Sequence, residues 1–416
     1  MDIKHVCFFD SPYSKLFKDC SQELRKNNIT SDFLISNYGY LAYVIGEDTK
    51  LLRPAIKNLQ YSDIEIKEVL GIQSLNNNLL NKFNRRELDE ACRFYAYFSN
   101  KIQTENSTSY VFYNDLRWQN AIAIDLLTRY NIPYIVLERG VYRPHTTSIS
   151  KTRLNGGFKL PSSNEKATIP SKTKNYSKFL TYTRFATFLA LSKIGKLFNL
   201  NTVNQNKSYS FLHYFKLLKK ELIPSPSKKN QALPDKYLFI PLQVPTDTQC
   251  LIYSRFKNMH EAITYIESEF IKSELYNQKY KLIFKVHPMD TNTYNVNKSF
   301  SILIDLPIDS LIKHSKGVIT INSTAGFESF DHFKNVITLG ESFYSSFKGV
   351  TSDNNKNLHK WLTEKFTHAQ YSKQEWINFK ENIMFHYQIE GSIFSYNSRT
   401  INSICSSITS NKHIND

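Results

Sequence analysis

Two apolar runs in the second half of the chain end at polar residues whose types suit catalysis. The run 237–242 leads to Asp247, and the run 281–286 leads to His287. Short β-rich runs that stop at polar residues and a proline are typical of buried parallel strands leading into functional loops. Ligands of open α/β sheets bind at the carboxyl ends of the strands. The carboxylate and the imidazole therefore indicate chemistry rather than packing.

A third polar group joins a predicted strand to a predicted helix and consists of Asn322, Ser323 and Thr324. Hydroxyls and backbone N–H groups at a helix N-terminus bind anions, although a Ser or Thr there can equally be an ordinary N-cap. Lys285 and His287, at another strand end of the same sheet, are placed to reach the same anion. Together they predict a phosphate site for a nucleotide sugar.

The sequence contains no D-x-D motif and no His/Asp/Glu cluster at metal-ligand spacing. Charge that develops on a departing phosphate can then be neutralised by side chains and a helix dipole. We therefore predict a metal-independent reaction that uses no cofactor.

The first half of the chain contains a similar edge. Residues 110–140 read strand–helix–strand with short connections, which is a βαβ unit of a parallel sheet. Its second strand ends at Glu138 and Arg139, again polar groups at a carboxyl edge. The segment 141–161 is rich in glycine and proline, and we predict an ordered loop rather than an element there.

A chain of 416 residues is too long for one ordinary core. The predicted divisions are a Rossmann-like domain at 1–164, a basic amphipathic insertion at 165–235, a second Rossmann-like domain at 236–355 and C-terminal helices at 356–416. Two such α/β domains facing a cleft, with C-terminal helices packing across, describe a GT-B-like glycosyltransferase. They describe several other two-domain enzymes equally well, so the fold alone does not decide function.

The formal net charge of +16 is concentrated in one segment, since residues 151–230 contain 16 Lys and Arg against two acids. The apolar and basic residues of 172–220 alternate as in peripheral membrane helices, which predicts binding to an anionic membrane surface. Alternatively, the apolar stripe packs on the protein and the lysines face solvent. No helix-turn-helix, RNP or zinc-finger pattern accompanies the charge, so a nucleic-acid partner is not predicted.

Composition also bears on the compartment. The sequence has no apolar run near 18 residues, and its first residues read as a strand rather than a signal peptide. Its five cysteines are widely spaced and form no C-x-x-C pair, which fits a reducing cytosol. These features predict a cytoplasmic protein.

Four ordered motifs resemble those of the capsule-type retaining β-Kdo transferases, the KpsS/KpsC-like family of capsule polysaccharide synthesis and export proteins. They are Glu138-x-Gly-x-x-Arg-Pro144, Pro241-Leu-Gln-Val-x-x-Asp-x-Gln249, Phe284-Lys-x-His-Pro-Met-Asp290 and Ile321-Asn-Ser-Thr-x-Gly326. The resemblance covers about 110–162 and 237–350. It does not cover the first hundred residues or the basic insertion.

The resemblance implies a retaining transfer of β-Kdo from CMP-β-Kdo by two successive inversions, with a covalent adduct on a carboxylate. Asp247 matches the aspartate expected to be the nucleophile. Glu138 would be the acid/base for the acceptor hydroxyl or would orient groups in the cleft; alternatively, it forms a structural salt bridge with an arginine. Arg139 or Arg143 would pair with the Kdo carboxylate. The remaining implied roles are support of Asp247 by Gln243 and Gln249, and binding of the CMP phosphate by His287, Ser323 and Thr324 with Lys285 and Asn322 close by.

The sequence leaves the identity of the acceptor undecided. The N-terminal domain would take it, and a lysophospholipid at the inner membrane or a glycan are both consistent with the sequence. With the basic insertion, the resemblance implies a protein that is peripheral on the inner face of the bacterial inner membrane. Ser148 and Ser150 stand where capsule relatives often carry an acidic residue, and the basic insertion is longer than expected. Two alternatives remain: another CMP-sugar transferase, such as a sialyltransferase-like enzyme, and a non-catalytic component of capsule assembly or export.

Overall fold

The computed structural model of the protein describes residues 2–72, 75, 84–142, 145–154, 160, 178–203, 232–244, 247–353, 357–365 and 370–410. The chain divides into two compact units. Unit 1 consists of Met1–Leu154, Pro161–Gln205 and Glu381–Asp416, and unit 2 of Asn155–Leu160 and Asn206–Lys380.

Strands and helices are interspersed along the whole chain. The strands are β1 His5–Phe9, β2 Thr30–Ile35, β3 Thr49–Leu51, β4 Thr108–Tyr113, β5 Tyr134–Arg139, β6 Thr146–Ser150, β7 Tyr237–Pro241, β8 Lys281–Lys285, β9 Ser301–Leu303, β10 Gly317–Thr320, β11 Val336–Thr338, β12 Val350–Ser352 and β13 Gln388–Glu390. The helices are α1 Leu16–Lys26, α2 Leu41–Val44, α3 Leu52–Ile56, α4 Asp63–Gly71, α5 Arg85–Thr104, α6 Trp118–Arg129, α7 Lys178–Leu197, α8 Thr248–Tyr253, α9 Met259–Phe270, α10 Glu274–Asn277, α11 Ile308–His314, α12 Thr324–Ser329, α13 Leu358–Lys365, α14 Lys373–Tyr387 and α15 Ser398–Thr409. Single 3-10 turns occupy Tyr38–Tyr40 and Phe330–His332.

Each unit is built on one sheet. Among the described residues, the sheet of unit 1 has the order β13-β6-β5-β4-β1-β2-β3, and the sheet of unit 2 the order β12-β11-β10-β7-β8-β9. The unit 2 strands pair in parallel throughout, as do β1 to β5 of unit 1. The prediction of a two-part α/β fold with Rossmann-like sheets, the composition of a GT-B-like protein, is confirmed.

Apolar runs explain why the central strands are rigid supports for the loops that follow them. Every residue of β4 and of β7 is buried. The ring of Phe9 in β1 lies 4.7 Å from that of Phe112 in β4 and 5.4 Å from that of Phe98 in α5. Aromatic pairs at such distances stabilise a fold by about 0.5–1.5 kcal/mol beyond the burial of their area.

The prediction of a loop over 141–161 is wrong in part, because β6 lies within that segment. β6 pairs antiparallel with β5, with Glu138 opposite Ser148, and its other edge pairs with β13. The turn into it is tight: a Cβ on Gly140 would lie 2.2 Å from the carbonyl oxygen of Thr146. The strand is short and polar, and it is completed by residues far along the chain, so no local pattern indicates it.

The helix α7 is the described part of the predicted basic insertion, and it packs on unit 1. The ring of Phe188 lies 4.9 Å from that of Tyr13 and 4.8 Å from that of Tyr40. The hydroxyl of Tyr43 donates to the carbonyl of Arg184 at 2.6 Å. One face of the helix is therefore covered by protein. No helix among the described residues has the length and apolarity needed to cross a membrane.

The predicted domain boundaries at 164, 235 and 355 stay predictions, but the two units place particular segments. Helix α7 belongs to unit 1, together with the residues from Glu381 onward. The last division of the chain falls inside α14, between Lys380 and Glu381.

Candidate functional site

The strand order of unit 2 defines where a ligand is expected. From β7 the chain moves outward to β8 and β9, then crosses to β10 on the other side of β7 and continues to β11 and β12. Such a reversal is a topological switch point, where ligands of open α/β sheets bind. The loop after β7 contains Asp247, the loop after β8 contains His287, and the loop after β10 contains Asn322. These three strands are adjacent and parallel, so the three residues follow the same edge of the sheet.

The carboxylate of Asp247 is half-buried, and Gln249 and Gln243 are among the residues that donate hydrogen bonds to it. Its Oδ1 accepts a hydrogen bond from the backbone N–H of Gln249 at 2.9 Å, which caps α8. Its Oδ2 accepts one from Nε2 of Gln243 at 3.3 Å. Gln249 thus supports Asp247 through its backbone, and Gln243 through its side chain, so the carboxylate is oriented at the carboxyl end of β7.

A reciprocal amide pair joins the loop after β7 to the loop after β10. Nε2 of Gln243 donates to Oδ1 of Asn322 at 2.9 Å, and the backbone N–H of Asn322 donates to Oε1 of Gln243 at 3.1 Å. Nδ2 of Asn322 then donates to the carbonyls of Gln249 and Glu341 at 3.0 and 3.1 Å. Gln243 and Asn322 are 5% and 7% exposed, so the bridge is buried and couples Asp247 to the predicted phosphate loop.

We expect Gln243→Leu to lower both turnover and stability. The change leaves buried groups of Asn322 without their partners, at about 1–3 kcal/mol for each unsatisfied group, and removes a donor from Asp247. Thermal unfolding and transfer kinetics measure the two effects, with Gln278→Leu on an exposed position of unit 2 as the matched control. Wild-type turnover in the Gln243 variant would contradict the positioning role.

Ser323 caps α12, since its side chain accepts a hydrogen bond from the N–H of Ala325 at 3.2 Å. Thr324 is the first residue of that helix, and both side chains are half-buried. The hydroxyl of Tyr344 donates to the Ser323 carbonyl at 2.6 Å. A Cβ on Gly326 would lie 2.4 Å from that hydroxyl, which explains the glycine of this motif.

His287 is oriented by its own loop. The N–H of Met289 donates to Nδ1 of His287 at 3.1 Å, so the neutral ring carries its proton on Nε2. The ammonium of Lys285 pairs with the exposed carboxylate of Asp305 at 2.7 Å. Asp290, which the sequence reasoning assigned no role, accepts hydrogen bonds from the hydroxyl of Tyr294 and the N–H of Asn292 and so folds the loop after His287.

In unit 1, Glu138 lies half-buried at the end of β5. Its Oε2 accepts a hydrogen bond from Nδ2 of Asn114 at 2.7 Å, and its Oε1 accepts one from the N–H of Arg139 at 3.1 Å. Asn114 ends β4 in a left-handed conformation, with φ of 70°, and its Oδ1 accepts from the N–H of Leu116. Within the described residues no arginine pairs with Glu138, so its partners are an amide and a backbone N–H.

Of the two arginines predicted to pair with the Kdo carboxylate, Arg139 is among the described residues and Arg143 is not. Arg139 is exposed, and its guanidinium lies 5.2 Å from the centre of the Phe394 ring. Arg143 lies outside the described residues, so its predicted role stays a prediction.

Sequence reasoning missed a charged pair at the switch point of unit 1, which lies between β1 and β4. Asp10 follows β1 and is 2% exposed, and its Oδ2 accepts a hydrogen bond from Nη1 of Arg117 at 2.8 Å. Burial raises the pKa of the Asp10 carboxyl, against the lowering effects of Arg117 and Ser36. The position of Asp10 directly after an apolar strand, like that of Asp247, was the available signal.

Among the described residues, no group of three or more His, Cys, Asp or Glu side chains is placed to hold a metal ion. The cysteine nearest the candidate nucleophile, Cys250, is buried; burial raises the pKa of its thiol, and the charge of Asp247 adds to that effect.

Solved structures resemble the chain only loosely. The Thermosulfurimonas dismutans KpsC β-Kdo 2,7 transferase is 14% identical with a TM-score of 0.38, and the match covers 74% of this chain and 90% of that one. The β-Kdo 2,4 transferase of the same KpsC is 13% identical with a TM-score of 0.39, covering 72% and 88%.

Curated sequences give partial matches. The chain is 26% identical over 158 residues to the capsule polysaccharide export protein KpsS of Escherichia coli, covering 35% of this chain and 39% of that protein. It is 28% identical over 189 residues to the capsule polysaccharide modification protein LipB of Neisseria meningitidis serogroup B, covering 40% and 42%. The matches thus span less than half the length of these relatives.

The family model described as capsule polysaccharide biosynthesis protein matches residues 111–394, which is more than half of the chain. This range contains the loops after β5, β7, β8 and β10 that carry the four motifs. The chain therefore belongs to the capsule polysaccharide biosynthesis protein family, and its predicted membership in the KpsS/KpsC-like capsule group is confirmed.

Proposed function

We propose that the protein is a retaining glycosyltransferase that transfers Kdo from CMP-β-Kdo to a lipid or glycan acceptor in capsule biosynthesis. The observation that carries the proposal is the placement of Asp247. Its carboxylate is held at the switch point of unit 2 by Gln243, and Gln243 also holds the loop that contains Ser323 and Thr324. A nucleophile and a phosphate site belong side by side in a nucleotide-sugar transferase.

The first step forms a bond between a carboxylate oxygen of Asp247 and C2 of Kdo. The bond between C2 and the phosphate oxygen breaks, and CMP leaves with the electron pair. The proton on Nε2 of His287 and the N-terminal end of α12, next to Ser323 and Thr324, would neutralise charge on the departing phosphate. The bridge through Asn322 needs no change in this step, because it is already formed in the protein.

The second step returns the configuration at C2. The acceptor hydroxyl attacks C2 and displaces Asp247, and its proton passes to Glu138. Two inversions give retention, and a positioned carboxylate base typically contributes about 10²–10⁴ in rate. The amide of Asn114 orients Glu138 for this role. We further propose that Arg139, or Arg143, pairs with the Kdo carboxylate.

The donor is tested by incubating the protein with CMP-Kdo and, in parallel, with CMP-sialic acid, and by following release of CMP. The proposal predicts release from CMP-Kdo and little from CMP-sialic acid. The reverse preference would favour a sialyltransferase-like enzyme. No release from either donor, even with lipid and glycan acceptors present, would favour a non-catalytic role in capsule assembly or export.

We also propose a peripheral position on the cytoplasmic face of the inner membrane, supported by the exposed end of α7. Beyond the face that packs on unit 1, this end exposes Ile194, Leu197 and Phe198, the last two at 81% and 66%. Lys193 and Lys196 are exposed beside them. Apolar side chains flanked by lysines suit an anionic lipid surface, where each basic residue contributes about 1 kcal/mol.

We expect the double change Leu197→Glu with Phe198→Glu to abolish binding to vesicles of anionic phosphatidylglycerol in co-sedimentation. The new carboxylates would be repelled by the surface and would remove the apolar contact. Ile64→Glu, at a 69% exposed position elsewhere in unit 1, is the matched control and should bind as the wild type does. Unchanged binding of the double variant would rule out this end of α7 as the contact.

A further inference from the structure

We propose that Arg117, at the switch point of unit 1, holds an anionic group of the acceptor. The inference rests on the proposed function in one respect, which is that it calls the ligand of unit 1 an acceptor. The site itself follows from four observations: the strand order, the geometry of the arginine, the helix that it begins, and the neighbouring carboxylate Glu138.

The strand order places Arg117 where ligands bind. From β1 the chain moves outward to β2 and β3, then crosses to β4 on the other side of β1 and continues to β5. The crevice between the carboxyl ends of β1 and β4 is thus the ligand position of unit 1. Asp10 follows β1, and Arg117 lies four residues after β4.

The guanidinium of Arg117 is pre-oriented. Its carbon lies 5.4 Å from the centre of the Tyr40 ring and 5.7 Å from that of Tyr113. Nη1 donates to Oδ2 of Asp10, and both carboxylate oxygens of Asp10 are engaged further, by the N–H of Ser36 at 2.7 Å and its hydroxyl at 2.9 Å. Asp10 therefore acts as a fixed support for the arginine.

Part of the guanidinium remains for a ligand. Among the described residues, the bond to Asp10 is the hydrogen bond that Arg117 donates, and its side chain is 24% exposed whereas that of Asp10 is 3% exposed. A guanidinium has five N–H donors in a planar fork that matches a carboxylate or a phosphate. An anion can therefore bind without breaking the existing pair.

The charge environment favours an anion as well. Arg117 is the N-cap residue of α6, a helix of 12 residues, and its own side chain makes no capping hydrogen bond. The N-terminus of a helix carries a partial positive charge, so a cation placed there is unfavourable and an anion is stabilised. Asp10 already accepts hydrogen bonds from Ser36 and Arg117. The partial positive charge of the helix end and the charge of the arginine therefore favour binding of a further, anionic group.

The proposed acid/base lies on the adjacent strand. Glu138 lies near the end of β5, which pairs with β4, and the charges of both Glu138 and Arg117 act on Tyr113 at the end of β4. Burial raises the pKa of the Tyr113 hydroxyl, and the charge of Glu138 raises it further whereas Arg117 opposes the rise. An acceptor anion on Arg117 would thus bring a neighbouring hydroxyl of the same molecule toward Glu138.

Two probes test the site without donor or catalysis: dimethyl phosphate for a phosphodiester, and glycolate for a sugar acid. Each is titrated at constant ionic strength while the thermal unfolding temperature is recorded. A ligand that binds only the folded state raises this temperature further as its concentration increases above the Kd, roughly with the logarithm of that concentration. We expect such a rise for at least one probe, and the responding probe identifies the class of the acceptor anion.

Variants assign the response to Arg117. Arg117→Gln should abolish the rise in unfolding temperature that the probe causes. Arg117→Lys should show a smaller rise, because lysine lacks the planar guanidinium that binds an anion through two N–H groups. Arg129→Gln removes one charge from the other end of α6 and should respond as the wild type does. The double change Asp10→Asn with Arg117→Gln removes both charges of the pair, so no buried carboxylate is left alone, and it should also lose the response.

Either of two outcomes would overturn the proposal: a wild-type response in the double variant, or no concentration-dependent rise in the unfolding temperature of the wild type with either probe. The probes could also bind at the proposed phosphate site of unit 2, and Ser323→Ala is the control for this. The part of the rise in unfolding temperature that depends on Arg117 should be unchanged in this variant. A failure of CMP release from CMP-Kdo would count against the proposed function alone, because these titrations contain no donor.

Discussion

Asp247→Asn is expected to lower transfer of Kdo by about ten-thousandfold, the order of loss that follows removal of a covalent catalyst. Asparagine keeps the shape of the side chain and is as good an N-cap as aspartate, so α8 should remain capped. It cannot form the ester to C2, and the first inversion is lost with it. Transfer rates with CMP-Kdo, with Asp247→Ala alongside, measure the effect.

The control is Asp309→Asn, which removes a carboxylate from unit 2 at a side chain that is 77% exposed. It should transfer as the wild type does. If Asp247→Asn and Asp247→Ala both kept wild-type rates, the carboxylate would be a cap of α8 and no more, and the nucleophile would have to be sought elsewhere.

Glu138→Gln should slow the second step more than the first. An amide of the same shape still accepts the hydrogen bond from Asn114, but it cannot take the proton of the acceptor hydroxyl. We expect steady-state transfer to fall by about 10²–10⁴, as for the loss of a general base. A rapid initial release of CMP, equal to the enzyme concentration, should remain. Quenched-flow measurement of CMP separates the two phases.

Glu390→Gln, at an exposed position of β13 in the same sheet, serves as the matched variant and should leave both phases unchanged. A Glu138→Gln enzyme that lost the initial CMP release together with turnover would place Glu138 in the first step, against the assigned role.

Local patterns predicted the elements that carry the site, because these elements have strong apolar periodicity. The predicted strand 237–242 is β7 at Tyr237–Pro241, and the predicted strand 281–286 is β8 at Lys281–Lys285. The polar residues after such strands were placed at the sheet edge by topology alone. The family resemblance implied that Gln243 supports Asp247; the two side chains are hydrogen-bonded, and their catalytic roles stay proposals.

Features that depend on distant partners were not predictable. β6 owes its burial to β13, some 240 positions later, and its residues Thr146 to Ser150 look like a polar loop in isolation. The Asp10–Arg117 pair joins residues 107 positions apart. For Ser323 the sequence allowed two roles, an ordinary N-cap and a phosphate ligand. The N-cap is formed, and the role in phosphate binding stays a proposal.

The proposed covalent intermediate on Asp247 is tested most directly by intact-protein mass spectrometry after incubation with CMP-Kdo. The samples are the wild type, Glu138→Gln and the double variant Asp247→Ala with Glu138→Gln. We expect a mass gain of one Kdo unit in Glu138→Gln, located on Asp247 by peptide mapping, and none in the double variant. Release of CMP by Glu138→Gln without any adduct on Asp247, or with an adduct on another residue, would contradict it.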